Sequence, residues 1–289
     1  MAERPAQAGP PGGRRFATPH RATVLRTQRL SPRMVRVVFG APGLERFTAG
    51  DFTDHYVKIL FLSPGVRYPE PFDMQVVRAE LPREHWPRVR TYTVRAWDPD
   101  TRELTIDFVV HGDRGLAGPW AAAVTAGTEI LFNGPGGAYA PSAEADWHLL
   151  AGDESALPAI AAALARVPAG ATVLAFVEVA GPEEEQKLAT PAGVEVRWLH
   201  RGDRPVGDLL VETVTALEIP PGTGQVFVHG EAGAVKALRR LLRVERGLPP
   251  QSLSISGYWR TGHDEDGWQS TKRDWNSQVE AEEKAALTS

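Results

Sequence analysis

The chain has 289 residues, 42% hydrophobic and 24% charged, with a formal net charge of -4. That is enough for two ordinary globular domains, and the mild acidity argues against broad binding to a nucleic-acid backbone. There is no cysteine, which excludes disulfides, iron–sulfur clusters and thiolate metal sites. No apolar run approaches the roughly 18 residues a membrane span needs.

The chain opens with a Pro/Gly-rich segment carrying Arg4, Arg14 and Arg15 but no apolar stretch after them. Residues 1–18 therefore read as a disordered tail rather than a signal peptide, and a cytoplasmic address fits. Short β-prone runs follow at 24–27, 34–39, 56–62, 89–96, 104–110 and 129–132. Leu104, Ile106 and Phe108 alternate with Thr105 and Asp107, as in a half-buried strand. Turn residues separate the runs, as in Ser31-Pro32, Pro42-Gly43 and Asp98-Pro99-Asp100. Six such strands predict a closed antiparallel barrel over 19–141, interrupted by a polar insertion at 69–87.

Past residue 141 the pattern changes to alternating strand and helix. Strands are predicted at 147–151, 172–179, 194–199, 225–229 and 252–258, and helices at 155–167 and 232–243. Pro158 is tolerated in the first helical turn, where its missing N–H has no partner to lose. This is the pattern of a parallel α/β sheet, assigned to residues 142–289. A polar helix over 267–287 ends the chain. Trp268, Trp275 and Val279 make an apolar stripe on it that must dock on something. The basic run 236–243 reads as a solvated helix face. No internal repeat is visible.

Several pieces carry chemistry only in combination. On a strand, Arg90 and Tyr92 share one face while Thr91 and Thr93 share the other. A guanidinium can grip a diphosphate bidentately, and a tyrosine with hydroxyl neighbours suits an aromatic ring. Alone, the four read as an ordinary alternating edge strand. Asp107, Val109 and His111 end a strand. Gly115, Ala117, Gly118 and Trp120 form a glycine-rich turn into a helix predicted at 119–124, where backbone N–H groups can receive a phosphate. This is not the GxGxxG fingerprint. Gly152, Asp153, Glu154 and Ser155 follow the first strand of the α/β half, where open parallel sheets bind ligands, and Gly230-Glu231 falls on the same edge. Asp153 or Ser155 could instead simply cap the helix. Arg201 and Arg204 could meet a nucleotide 2′-phosphate or be solvent-exposed loop charges. The eight histidines form no HExxH pair, so no metal site is expected; His200 and His229 read as the ends of buried strands.

Together these pieces resemble the siderophore-interacting proteins, a branch of the ferredoxin–NADP reductase-like flavoproteins. The resemblance runs through 54–58, 90–93, 107–112, 115–121, 152–160, 198–201, 230–232 and 257–260, in order, and spans residues 20 to 280. The segments at 152–160 and 257–260 are the most specific. The resemblance implies an FAD-binding barrel followed by an NAD(P)H-binding-like α/β domain, and an oxidoreductase that passes electrons from NADPH or NADH through FAD to a ferric siderophore. It implies that Arg90, Thr91, Tyr92 and Thr93 hold the flavin, with Thr93 near its N5. Asp107, Val109 and His111 would line the far side, turn 115–121 would take the diphosphate, and Asp153 and Ser155 would face the ring. Gly152, Glu154, Arg201, Gly230 and Glu231 are the candidate nucleotide edge. Lys58 and Arg260 are candidates for a cationic rim that attracts an anionic chelate. The chain departs from the family pattern at Leu116 and Gly118, where relatives often carry proline and serine, and at Ser155, where threonine is common. A generalist ferric or flavin reductase and a non-redox siderophore carrier remain alternatives, as does a ferredoxin donor. A monomer is expected.

Overall fold

The computed structural model describes residues 18–288; the expected tail at 1–18 lies almost wholly outside them. Six strands close into an antiparallel barrel: β1 (His20–Ser31), β2 (Met34–Gly40), β3 (Tyr56–Phe61), β4 (Arg88–Asp98), β5 (Glu103–Val109) and β6 (Glu129–Gly136). Their order around the barrel is β1-β2-β5-β4-β3-β6. The hairpins β1–β2 and β4–β5 are read directly from sequence neighbours, whereas β2–β5 and β3–β6 are crossovers. Inward residues such as Val37, Ile59, Ile106, Phe108 and Phe132 fill the interior.

The helix α2 (Ala117–Ala123) plugs one end of the barrel. Its Trp120 ring lies 5.5 Å from Phe61 and 5.6 Å from Phe108. A Cβ on Gly118 would stand 2.9 Å from the Val109 carbonyl oxygen. This close approach of α2 to β5 favours glycine at position 118. The insertion at 69–87 is less polar than expected, because it holds α1 (Met74–Glu80), and its Phe72 and Val77 pack with Leu60 and Leu131 on the barrel's outer face.

The second half is a five-stranded parallel sheet in the order β11-β10-β7-β8-β9. Its strands are β7 (Trp147–Asp153), β8 (Thr172–Val179), β9 (Val196–His200), β10 (Gly224–Glu231) and β11 (Leu253–Trp259). Between β7 and β8 runs α3 (Leu157–Leu164), made largely of alanine and almost wholly buried. Its small side chains let it lie against both the sheet and β4 of the barrel, which brings the two halves together. A helix not anticipated from sequence, α4 (Asp208–Thr215), buries Leu210 and Val214. After β10, α5 (Ala232–Arg240) runs on through a π turn at Leu241–Glu245.

The last helix, α6 (Glu265–Thr288), docks along α5. Trp268 and Val279 are buried, and Trp268 meets Trp275 edge to face at 5.4 Å. The basic run expected to face solvent instead holds this helix: Lys236 pairs with Glu282 at 2.7 Å, and Arg239 and Arg243 reach Glu283 at 2.6 and 3.4 Å. Complementary charge on the partner helix is invisible in a local reading; Arg239 and Arg243 are partly covered by it, while Lys236 and Arg240 keep much of their exposure. Because Trp268 is almost fully enclosed, Trp268→Ala should lower the unfolding free energy by about 3 kcal/mol. Denaturant unfolding measures this, and an unchanged midpoint would mean that α6 is not part of the core.

Candidate functional site

A cavity of about 610 Å³ opens between the barrel and the sheet. One wall is the outer side of β3, β4 and β5; the opposite wall is the C-terminal edge of β7, β10 and β11; α6 closes a third side. Strand alternation explains the barrel wall. Thr91, Thr93, Asp107, Val109 and Lys58 line it, while Val94, Ile106 and Phe108 point into the barrel. Tyr92 also borders the cavity, with its ring 4.3 Å from Phe108. His111 sits at the exposed end beyond β5. Asp107 is held by Arg36 through two bonds of 2.7 and 2.8 Å. Asp54 accepts the backbone N–H groups of Ala138 and Tyr139, folding the chain beyond β6 onto this wall.

The opposite wall is organised by one carboxylate. Asp153 is 2% exposed and ends β7. It accepts the Ser155 N–H at 2.9 Å and the Ser155 hydroxyl at 2.5 Å. It also accepts the Glu231 N–H at 2.8 Å and the Trp259 indole N–H at 2.8 Å. Three strand ends are thereby tied to one side chain. Burial pushes the Asp153 carboxyl up to about 6, against the donated bonds that favour its charge. The two walls come together where Thr93 of the barrel and Tyr258 of the sheet lie side by side.

Beside this lies a buried charge network. Glu154 and Arg201 are 2.6 Å apart, and Arg201 stands 4.0 Å from Glu178, which also accepts the N–H groups of Gly207 and Leu210 at the start of α4. Arg201 is therefore not an exposed loop charge; Arg204 is exposed and pairs with Glu212 at 2.9 Å. Both Glu154 and Arg201 border the cavity.

Other expected residues stand away from the cavity wall. Gly152 and Gly230 serve close packing: a Cβ on Gly152 would come within 2.4 Å of the His229 carbonyl oxygen, and one on Gly230 within 2.7 Å of Asp153. The Glu231 carboxylate caps α5 through Gly233 and Ala234 and accepts the Thr261 N–H. Gly115, Ala117, Gly118 and Trp120 stay at the barrel end with α2, and Arg260 is half-buried just past β11. Arg90 faces the same barrel end and forms a bidentate ion pair with Asp266 of α6, both contacts 2.9 Å.

The sequence reading named no residue of α6 at the site. Glu265, Gln269 and Lys272 line the cavity. Their spacing of four and three residues puts them on one helical face, next to the buried tryptophan stripe, which is the signal that could have revealed them. Burial lowers the Lys272 ammonium pKa, with Lys58 adding repulsion. His229, expected only to end a strand, also borders the cavity. It stacks on Phe227 at 3.8 Å and bonds Ser254 Oγ through Nε2 at 3.0 Å, while Nδ1 has no partner. His200, by contrast, is exposed and pairs with Glu185.

Burial drives the His229 imidazole down to about 3. It should therefore remain a neutral tautomer from pH 8 to pH 5, observable in long-range proton–nitrogen correlation spectra. An imidazolium signal at pH 6 would contradict this burial-driven shift.

Comparison with known proteins follows the same division. The family model described as the siderophore-interacting FAD-binding domain matches residues 23–139, and that of the siderophore-interacting protein matches 145–262. An uncharacterized protein of Mycobacterium tuberculosis is 48% identical over 88% of this chain and 95% of its own length. An Escherichia coli protein named NADPH-dependent ferric-chelate reductase is 31% identical over 82% of this chain and 91% of its own. The crystal structure of the siderophore-interacting protein SipS from Aeromonas hydrophila, 31% identical, superposes with a TM-score of 0.76 over 90% of this chain and 98% of that one. A barrel carrying the flavin-type strand motif, joined to a parallel sheet across a shared cavity, is thus matched along nearly its whole length, and the chain belongs to the siderophore-interacting protein family.

Proposed function

We propose that this chain is an FAD-dependent reductase of ferric siderophores that draws its electrons from a nicotinamide nucleotide. The observation that carries the reading is the single cavity shared by the hydroxyl-bearing wall of β4 and the C-terminal edge of the parallel sheet. Such an edge is where open α/β sheets bind ligands. The name of the Escherichia coli relative points the same way.

The residues present suit FAD. The cavity joins apolar and aromatic surface (Val109, Tyr92, Tyr258) to hydroxyls and backbone groups, the mixture a flat, polar-edged ring requires. We assign residues 19–141 to the flavin and 142–289 to the donor. When bound, FAD would supply conversion between two-electron hydride chemistry and the single-electron reduction of iron. Thr93 would bond the ring near N5, with Thr91 and Tyr92 beside it. Asp107, Val109 and His111 would flank the far side. Arg90 and the turn at 115–121 would take the diphosphate. On the facing wall, Ser155 is oriented by Asp153, and Glu154 with Arg201 borders the space where a nucleotide would enter; Gly152, Gly230 and Glu231 shape this edge rather than contact the ligand. Tyr258 and α6 restrict water. No general acid is needed at the iron, because its reduction weakens binding to hard siderophore oxygens and so releases it.

The direct test is anaerobic: protein with FAD, a ferric siderophore, a ferrous trap, and NADPH or NADH. Ferrous iron appearing with nucleotide consumption supports the reading. Siderophore bound tightly with no electron transfer under any donor would favour a carrier and contradict it. Lys58 is exposed at the cavity and Arg260 lies just past β11. Lys58→Ala and Arg260→Ala should each raise KM for an anionic chelate roughly three- to tenfold and flatten its dependence on salt. Unchanged kinetics in both variants would remove the cationic rim from the account.

A further inference from the structure

Arg90 stands at the end of β4 that α2 plugs. The β3–β4 register pairs Arg90 with Ile59 and Arg88 with Phe61, and Phe61 touches Trp120 of α2. The glycine turn before α2 and the Arg90 guanidinium therefore share one end of the barrel.

A guanidinium offers two bidentate edges, one end-on through Nη1 and Nη2 and one side-on through Nε and Nη2. In Arg90 the end-on edge is taken. Nη1 donates to Asp266 Oδ1 and Nη2 to Asp266 Oδ2, both at 2.9 Å, while the other Nη1 hydrogen goes to the Val89 carbonyl at 2.7 Å. The side-on edge has no partner among the described residues, and Nε is not sealed from solvent. Asp266 lies 176 residues away in sequence, on the first turn of α6. That turn is fixed by its own contacts. Asp264 accepts the Gly267 N–H at 2.7 Å and the Trp268 N–H at 2.8 Å, and Trp268 is buried. The neighbouring Glu265 lies beside the Thr91 backbone. Two successive acids of α6 thus face two successive residues of β4, with Asp266 bonded to Arg90.

We propose that Asp266 is a positioning residue of the flavin site: by holding the end-on edge of Arg90, it presents the side-on edge to the diphosphate of FAD. The C-terminal helix then belongs to the cofactor site although it need not touch the cofactor. This inference rests on the flavin-binding reading above. Two effects of Asp266 oppose each other. Its charge repels a diphosphate, but its side chain is 55% exposed and that repulsion is screened. A correctly aimed, nearly enclosed guanidinium loses more when it is freed to rotate.

The test compares FAD with riboflavin, which has the same ring and no phosphate. Each is titrated into apoprotein and followed by flavin fluorescence. Asp266→Asn should weaken FAD by about five- to tenfold and leave riboflavin within about twofold. In an Arg90→Ala background the same change should cost nothing further, and Asp266→Glu should restore part of the loss. FAD bound as tightly as, or more tightly than, in the native chain would overturn the proposal. So would equal weakening of both ligands, which would make α6 a general support of the fold. Failure of the native chain to bind FAD at all would instead overturn the flavin reading itself.

Discussion

The site depends on one buried carboxylate. Asp153 receives hydrogen bonds from its own loop, from the end of β10 and from the end of β11. Removing a carboxylate from water is costly, and the four donors that converge on it offset part of that cost. That convergence constrains the chain around it. Gly230 takes a positive φ of 142°, and a side chain there would press on Asp153. Gly152 lets β7 and α3 approach the β10 backbone more closely than any Cβ would allow. The result is a firm wall on which Ser155, Tyr258 and Trp259 hold fixed positions toward the barrel.

Two helices then bring that wall to its counterpart. One, α3, works by smallness: its alanines allow the sheet and β4 to pack on the same element. The other, α6, works by reach. Its body is fastened to α5 by ion pairs and seated by buried Trp268 beside Gly257 of β11, while its first turn meets β4 at Arg90. Close packing and long-range charge pairing thus set the separation of the walls, and so the room available to a ligand.

Much of the architecture was legible in the sequence because its signals are local. Period-two alternation marked the barrel strands, Pro158 marked the start of α3, and the spacing of 90–93, 152–160 and 257–260 marked the family. Other features were illegible because they depend on distant partners. The crossovers that place β5 beside β2 leave no trace in either strand. The run 236–243 looks solvated until Glu282 and Glu283 are set beside it. Arg90 looks like a free phosphate ligand until Asp266 takes one of its edges. Gly152 and Glu231 stood out as nucleotide-edge candidates, yet their local work is close packing and helix capping. The short helix α4 was missed because only Leu210 and Val214 mark its buried face.

The central claim is spatial: the flavin ring lies between the outer side of β4–β5 and the strand ends gathered by Asp153. A crystal structure of the chain with FAD tests it most directly. The account predicts the ring in this cavity, with Thr93 beside N5, Ser155 on the facing wall, and the diphosphate at the barrel end near Arg90. A ring seated elsewhere, with this cavity left to another ligand, would contradict it.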